Sequence, residues 1–283
     1  MRNQRIALVT GANQGIGYAL VDGLSARLGP DDLVLLTGRK PDRVAAAAAS
    51  IHGTAKVEAR VLDVSDAAAV DKLAAELAEQ YGGVDIVISN AIAGLTPDRP
   101  QAEQADEFIA VANGGTDAVL RAFGPVLRPG GRLIVVASAL GTLDHLDPQV
   151  QPLFDGTSLD QVAEAVENWR QAIHAGTAED QGWSHWINLP SKVAQVAAVR
   201  AVAAERRVTD LDQRTLIASV CPGLVDTRAS RPWFDDFSQA KSPADAVLPI
   251  LALVLADEVD PTTYGELIRD GQVLPWRGSS AAA

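Results

Sequence analysis

The chain has 283 residues, 47% hydrophobic and only 5% aromatic, enough for one large α/β domain with a substantial core. A formal net charge of −12 repels nucleic acid and anionic membranes, so neither is expected as a partner, and an anionic ligand must be held by local positive groups. One cysteine, Cys221, excludes an internal disulfide and fits a reducing cytoplasm, and no apolar run is long enough for a signal peptide or a membrane span.

The elements alternate from the start. "RIALVT" (5–10) reads as a buried strand, and "TGANQGIG" (10–17) follows it and opens a helical stretch over 15–28. In this strand–turn–helix setting Gly11 permits a tight turn, Gly15 lets the backbone approach a pyrophosphate, and Gly17 lets helix and strand pack closely. The free N–H groups of the helix start then face the phosphates, with Asn13, Gln14 and Ile16 in the same turn. "LVLLTG" (33–38) is the second strand. Dinucleotide folds that bind NAD place an acid at its end, whereas this chain has Arg39 and Lys40. A guanidinium grips a 2′-phosphate that an acid would repel, so NADP(H) is the expected cofactor; the alternative for Arg39 is a solvated residue at a helix start.

A helix over 41–51 leads to the strand "KVEARVLDV" (56–64), which ends at Asp63 and Val64. Asp63 is placed to accept from an adenine amino group or to cap the next helix. That helix covers 66–82, followed by the strand "VDIVIS" (84–89), a helix over 117–127, and the strands "GRLIVVAS" (131–138) and "RTLIASV" (214–220). "GELIRD" (265–270) reads as a short seventh strand, and the closing "GSSAAA" as a loose tail. This alternation implies a doubly wound parallel sheet covered on both faces. The stretch 139–187 is too long for a plain crossover and contains the helical piece "SLDQVAEAVENWRQAIHAG" (158–176). It reads as a helical insert at the carboxyl edge, where ligands bind in such folds.

Taken together, the motifs resemble those of the short-chain dehydrogenase/reductase family, in particular carbonyl reductases with a helical insert before the catalytic helix. "TGANQGIG" is similar to that family's TGxxxGxG. "SNAIAG" (89–94), with Asn90 and Ala91, is similar to its NNAG, Ser89 and Ile92 replacing an Asn and the Gly. "NGGT" at Asn113 resembles the start of the central helix, "PGGRLIVVASALG" the strand ending in the catalytic serine, here Ser138, and "QGWSHWINLPSK" the run from a Gly-Trp pair to YxxxK. "CPGLVDT" resembles the PG motif beside the nicotinamide, with Pro222, Gly223, Val225 and Thr227. The resemblance implies an α/β Rossmann-type fold over 1–283. It has a mostly seven-stranded parallel sheet, an insert at about 142–186 and a substrate lid at about 224–242. It also implies reduction of a small-molecule carbonyl by NADP(H), with Lys192 binding the nicotinamide ribose. Because the insert covers the helix face through which relatives without it pair, a monomer is expected.

One family residue is missing. The resemblance implies a serine that polarises the carbonyl, a tyrosine that donates the proton, a lysine that lowers the tyrosine pKa and an asparagine that holds a water relay. Ser138, Lys192 and Asn113 match, but the tyrosine position is Asn188. A carboxamide donates a hydrogen bond and delivers no proton. General-acid help is worth roughly 10²–10⁴ in rate and an oriented amide donor at an oxyanion roughly 10²–10³, so reduction is hindered and not forbidden if another proton source exists. The candidate sources are water held by Asn113 and Lys192, Ser138, His145 and His185, each histidine being otherwise a polar loop residue. Pro190 fits the first turn of a helix and alters the geometry near position 188. Trp183, Trp186, Trp233, Phe234 and Phe237 either line a pocket for a bulky or aromatic substrate or pack the insert onto the sheet. The altered "SNAI" and Asn188 also suit a non-redox enzyme of this fold (a cyclase, dehydratase or isomerase) or a cofactor-binding pseudoenzyme.

Overall fold

A computed structural model describes residues 4–278. Most of the closing "GSSAAA" lies outside the described residues. Eight strands form one sheet: β1 (Ile6–Val9), β2 (Leu33–Gly38), β3 (Lys56–Val61), β4 (Val84–Ser89), β5 (Leu127–Val136), β6 (Leu216–Val220), β7 (Leu267–Arg269) and β8 (Gln272–Leu274). Their order is β3-β2-β1-β4-β5-β6-β7-β8. All neighbours are parallel except β7 and β8. The β-branched and leucine-rich runs of β1, β2, β4 and β6 are buried almost throughout, as strands covered on both faces must be. The expected seven-stranded sheet therefore gains an eighth strand. Asp270 and Gly271, both at positive φ (48° and 78°), turn the chain back after β7 into a short hairpin.

The helices are α1 (Gly15–Arg27), α2 (Pro41–Ala49), α3 (Ala67–Tyr81), α4 (Gln101–Ile109), α5 (Gly115–Phe123), α6 (Leu159–Ala175), α7 (Asn188–Asp212), α8 (Pro243–Ala246) and α9 (Leu248–Leu255). α3, α5 and α7 pack side by side, and α1 packs with α8 and α9. α4 was not expected from the hydrophobic pattern; it runs into α5 through a π-helical turn, Ala110–Gly114. Asn113, expected at a helix start, therefore sits inside a continuous helical path, on the widened turn. Such turns are commonest at functional sites. α6 starts with a capping box at Ser158 and Gln161 and lies against α4 and α7. Its buried Trp169 packs on Trp183, which in turn meets Phe154 edge-on. No helix among the described residues is long and apolar enough to cross a membrane.

The order of the strands reverses at β1, which pairs with β2 on one side and β4 on the other. The crevice beyond the carboxyl ends of β1 and β4 is the switch point at which doubly wound sheets bind ligands. Far from it, the foot of α7 is anchored by the fully buried Asp210, which accepts from Arg206 (Nη2, 2.9 Å) and from the Tyr264 hydroxyl (2.6 Å). Burial and this carboxylate push the Tyr264 phenol far above its ordinary pKa. Tyr264→Phe leaves Asp210 short of one buried partner, and the expected loss is about 1–3 kcal/mol in chemical denaturation. Activity should be unchanged, since this phenol serves the fold.

Candidate active site

The turn from β1 into α1 is built by two tight contacts. Gly11 has φ +62°, and a Cβ there would stand 2.7 Å from the Ala91 Cα. A Cβ on Gly17 would stand 2.6 Å from both Asn90 Nδ2 and the Gly11 carbonyl. Asn90 closes the gap from the β4 side: its Nδ2 donates to the Thr10 carbonyl (2.9 Å) and the Gly11 carbonyl (3.2 Å). Thr10 Oγ1 accepts from the backbone N–H groups of Asn90 (2.9 Å) and Ala91 (3.0 Å). The start of α1 has neither a side-chain cap nor an acid in its first turn. Its N–H groups and the positive end of its dipole thus open onto the crevice.

The crevice holds a cavity of about 830 Å³. It is lined at the end of β1 by Gly11, Asn13, Gln14, Gly15, Ile16 and Gly17, on the β2 and β3 side by Arg39, Lys40, Asp63 and Val64, and on the β4 side by Asn90 and Ala91. Thr227 closes the near side, its Cγ2 standing 3.7 Å from where a Gly15 Cβ would be. Three further cations line this cavity: Arg43, Arg99 and Arg228. Arg43 had a legible signal, since it follows Arg39 by four residues at the start of α2. Arg99 and Arg228 arrive through loops whose paths no local pattern fixes. Together these cations make a positive pocket in a protein of net charge −12. Arg39 donates to Glu107 from Nη1 (2.7 Å), which leaves the rest of the guanidinium fork free. Asp63 accepts from the Ser65 N–H (3.0 Å) and hydroxyl (2.6 Å), and the cap of α3 is Asp66. The capping role weighed for Asp63 thus belongs to its neighbour.

A second group of residues gathers where α7 begins. Ser138, two residues past the end of β5, caps a 3₁₀ turn, Ala139–Gly141, its Oγ accepting from the Leu140 N–H (3.2 Å). The hydroxyl hydrogen remains available to donate. This turn presses on α7: a Cβ on Gly141 would stand 3.0 Å from the Lys192 carbonyl. Asn113 Nδ2 donates to the Ser191 carbonyl (2.9 Å), tying the π-turn to the same point of α7, and its buried Oδ1 has no protein partner. Lys192 is buried and donates from Nζ to Gln195 Oε1 (2.7 Å). Gln195 in turn donates to Thr116 Oγ1 (2.9 Å) and the Ala112 carbonyl (3.0 Å). Gln195 was not among the expected site residues; it lies one turn beyond Lys192 on α7. Asn188, half-buried, is the first residue of α7, one turn before Lys192. Cys221, Pro222 and Gly223 (φ +81°) leave the end of β6.

The two candidate histidines stand apart from this group. His145 is exposed, its Nδ1 held by Thr142 Oγ1 (2.8 Å). His185 is exposed and pairs with Glu179 Oε1 (2.9 Å). The aromatic residues divide into three. Trp183 belongs to the packing of α6, and Phe234 and Phe237 pair with each other. Trp186 and Trp233 meet at 5.9 Å, with Trp233 Nε1 donating to the Leu95 carbonyl (3.1 Å).

Burial pushes the Lys192 ammonium down to a pKa of about 8. An unfolded lysine titrates near 10.4, so the unfolded chain holds more protons between these values, and stability gains as pH rises through this window. Lys192→Met removes that dependence. Its unfolding free energy relative to the unsubstituted protein should fall by about 2–3 kcal/mol between pH 7 and pH 10, measured by denaturant titration at each pH.

Known proteins resemble the chain over most of its length. The family model described as short chain dehydrogenase matches residues 5–146. Carbonyl reductase [NADPH] 1 of Sus scrofa is 29% identical over 287 residues, covering 97% of this chain and 95% of its own. Carbonyl reductase [NADPH] 3 of Rattus norvegicus is 28% identical over 288 residues, covering 96% and 98%. Among solved structures, salutaridine reductase from Papaver somniferum aligns with a TM-score of 0.78 at 21% identity, covering 93% of this chain and 99% of that one. Menthone neomenthol reductase from Mentha piperita aligns at 0.75 and 20% identity, covering 96% and 100%. At these identities the structural likeness carries the fold.

Proposed function

Because the chain belongs to the short-chain dehydrogenase family, we propose that it is an NADPH-dependent reductase of small-molecule carbonyl compounds, ketones or quinones, that works with a proton donor other than a phenol. The observation that carries this reading is an uncapped, acid-free start of α1 opening onto a cavity whose far end holds Arg39, Lys40 and Arg43. The pyrophosphate belongs at the α1 N-terminus and the 2′-phosphate among the cations, with Asp63 and Val64 at the adenine. When bound, NADPH supplies the hydride. Ser138 donates a hydrogen bond to the substrate oxygen, and the Asn188 amide is placed to donate a second as negative charge grows there. Lys192, one helical turn below, adds positive charge next to the same oxygen.

Trp186 and Trp233, with the Leu95 loop that Trp233 holds, form the apolar wall for the substrate, and residues 224–242 act as its lid. This favours a carbonyl compound with a ring or a similarly broad apolar body. Residues 142–186 form the insert. With α6 laid across α4 and α7, that helix face is covered within one chain, and the protein acts as a monomer.

The test is NADPH oxidation against a panel of ketones and quinones, with cofactor binding measured separately. Turnover above background supports the reading, and none with NADPH bound overturns it. Arg39→Ala should weaken NADPH binding about 10–100-fold and leave NADH binding nearly unchanged in calorimetric titration, the loss expected for hydrogen bonds to a charged group. The non-redox alternative rests on Asn188. If Asn188→Tyr creates reductase activity where the natural protein has none, that alternative is favoured.

A further inference from the structure

We infer that Lys192 is itself the proton donor of this site, held for that task by Gln195, which acts as a positioning residue. The inference rests on the reductase reading and names the group which that reading leaves open.

Four observations meet at this lysine. Tyr264, the one buried phenol among the described tyrosines, is committed to Asp210, and Tyr18 bonds Ser50 (3.0 Å). His145 and His185 are exposed and engaged by Thr142 and Glu179. The ammonium of Lys192 has three N–H donors and a single protein partner, Gln195 Oε1 at 2.7 Å. Asn188 and Lys192 are four apart on α7 and share a face, with the Ser138 turn pressed against the lysine backbone. Replacing the tyrosine by the shorter Asn188 leaves the space above the lysine without a phenol, and a flexible four-carbon stem spans one turn.

Burial makes the ammonium acidic enough for the task, at about 8, because a general acid works best when its pKa lies near the operating pH. Among the described residues, the titratable group felt at Lys192 is Cys221, at the end of β6. The π-turn presents Asn113 and the Ala112 carbonyl to this network, α5 presents Thr116, and the 3₁₀ turn presents Gly141, while Asp106, Asp117, Glu167 and Arg170 line the adjoining cavity. The step balances. The hydride of NADPH passes to the carbonyl carbon, reducing it, and the nicotinamide is oxidised. The alkoxide oxygen takes a proton from Lys192 Nζ, leaving a neutral amine. Solvent then returns the proton. A cavity of about 280 Å³ between α4, α5, α6 and α7 is lined by Gln195 and Asn113, and the unpartnered Asn113 Oδ1 offers water an acceptor there.

The experiment pairs two readouts on the full chain. Lysine labelled with 13C at Cε is titrated by NMR, with the Lys192 signal assigned by Lys192→Met. Ketone reduction by NADPH is followed over the same pH range. The Lys192 signal should titrate near the pH at which kcat falls with rising pH. Gln195→Glu places a carboxylate on the ammonium and should move both midpoints up together by a unit or more. Gln195→Met, which keeps the volume, should move both down. Cys221→Ser should leave the kcat limb in place, and Lys192→Arg, which keeps the charge without a transferable proton, should cut kcat at least tenfold at saturating NADPH. If the protein reduces ketones but its pH limb ignores Gln195 or follows Cys221, or if Lys192→Arg keeps full kcat, the lysine is not the donor and the reductase reading stands. If no ketone or quinone is reduced although NADPH binds, both fall.

Discussion

Everything at the crevice depends on how closely the β1–α1 turn approaches the end of β4. Thr10 Oγ1 accepts two backbone N–H groups from the β4 end, and Asn90 returns two bonds to the turn. Only residues without a Cβ fit at 11 and 17, where one would meet backbone at 2.7 and 2.6 Å. This lock aims the start of α1 outward, uncapped, and puts the floor of the cavity a fixed distance from the cations beyond β2. Without it, the cations would be five scattered surface charges in an acidic protein, screened by solvent. With it, Arg39, Lys40 and Arg43 stand beyond β2 on one side of the cavity onto which the positive end of the α1 dipole opens, two positive regions in one crevice.

The parts of this arrangement that were legible in the sequence are those set by local rules. The glycines at 11, 15 and 17 announce a turn because nothing else fits there, and Arg39–Lys40 announces a phosphate because an acid is missing. The buried strands are runs of Val, Ile and Leu bounded by turn residues. What escaped depends on packing across the chain. α4 carries acids and glutamines with a weak apolar face, so its pattern is faint; it is helical because α6 covers it. The π-turn at Asn113 needs one extra residue per turn, which no periodicity reveals when the turn is flanked by small residues. The seventh strand was legible in "GELIRD", but its return partner β8 was not, for another reason. Its Asp-Gly signal is clear, but strands of three residues give no alternation to accompany it. The aromatic residues fall in two runs, 183–186 and 233–237, that read as one cluster on paper, yet Trp183 packs on Trp169 of α6 while Trp186, three residues later, packs on Trp233.

With Asn188 where the family resemblance implies a tyrosine, the proposed site asks something different of Lys192, one turn further along α7. Next to a phenol, a lysine serves best when it stays charged, because its field is what acidifies the phenol. Without the phenol the same charge has no proton to release but its own. A solvated ammonium, near 10.4, would hold that proton too tightly at neutral pH. Burial weakens the hold, and the lysine here is buried with a neutral amide as its partner. Were that partner a carboxylate, its charge would favour the ammonium and make the proton less available. A glutamine accepts one hydrogen bond and contributes no net charge, so it fixes the direction of the ammonium without restoring the affinity that burial removes. On the proposal made above, a neutral Gln195 keeps the lysine proton available, as a site with Asn188 in place of a phenol requires.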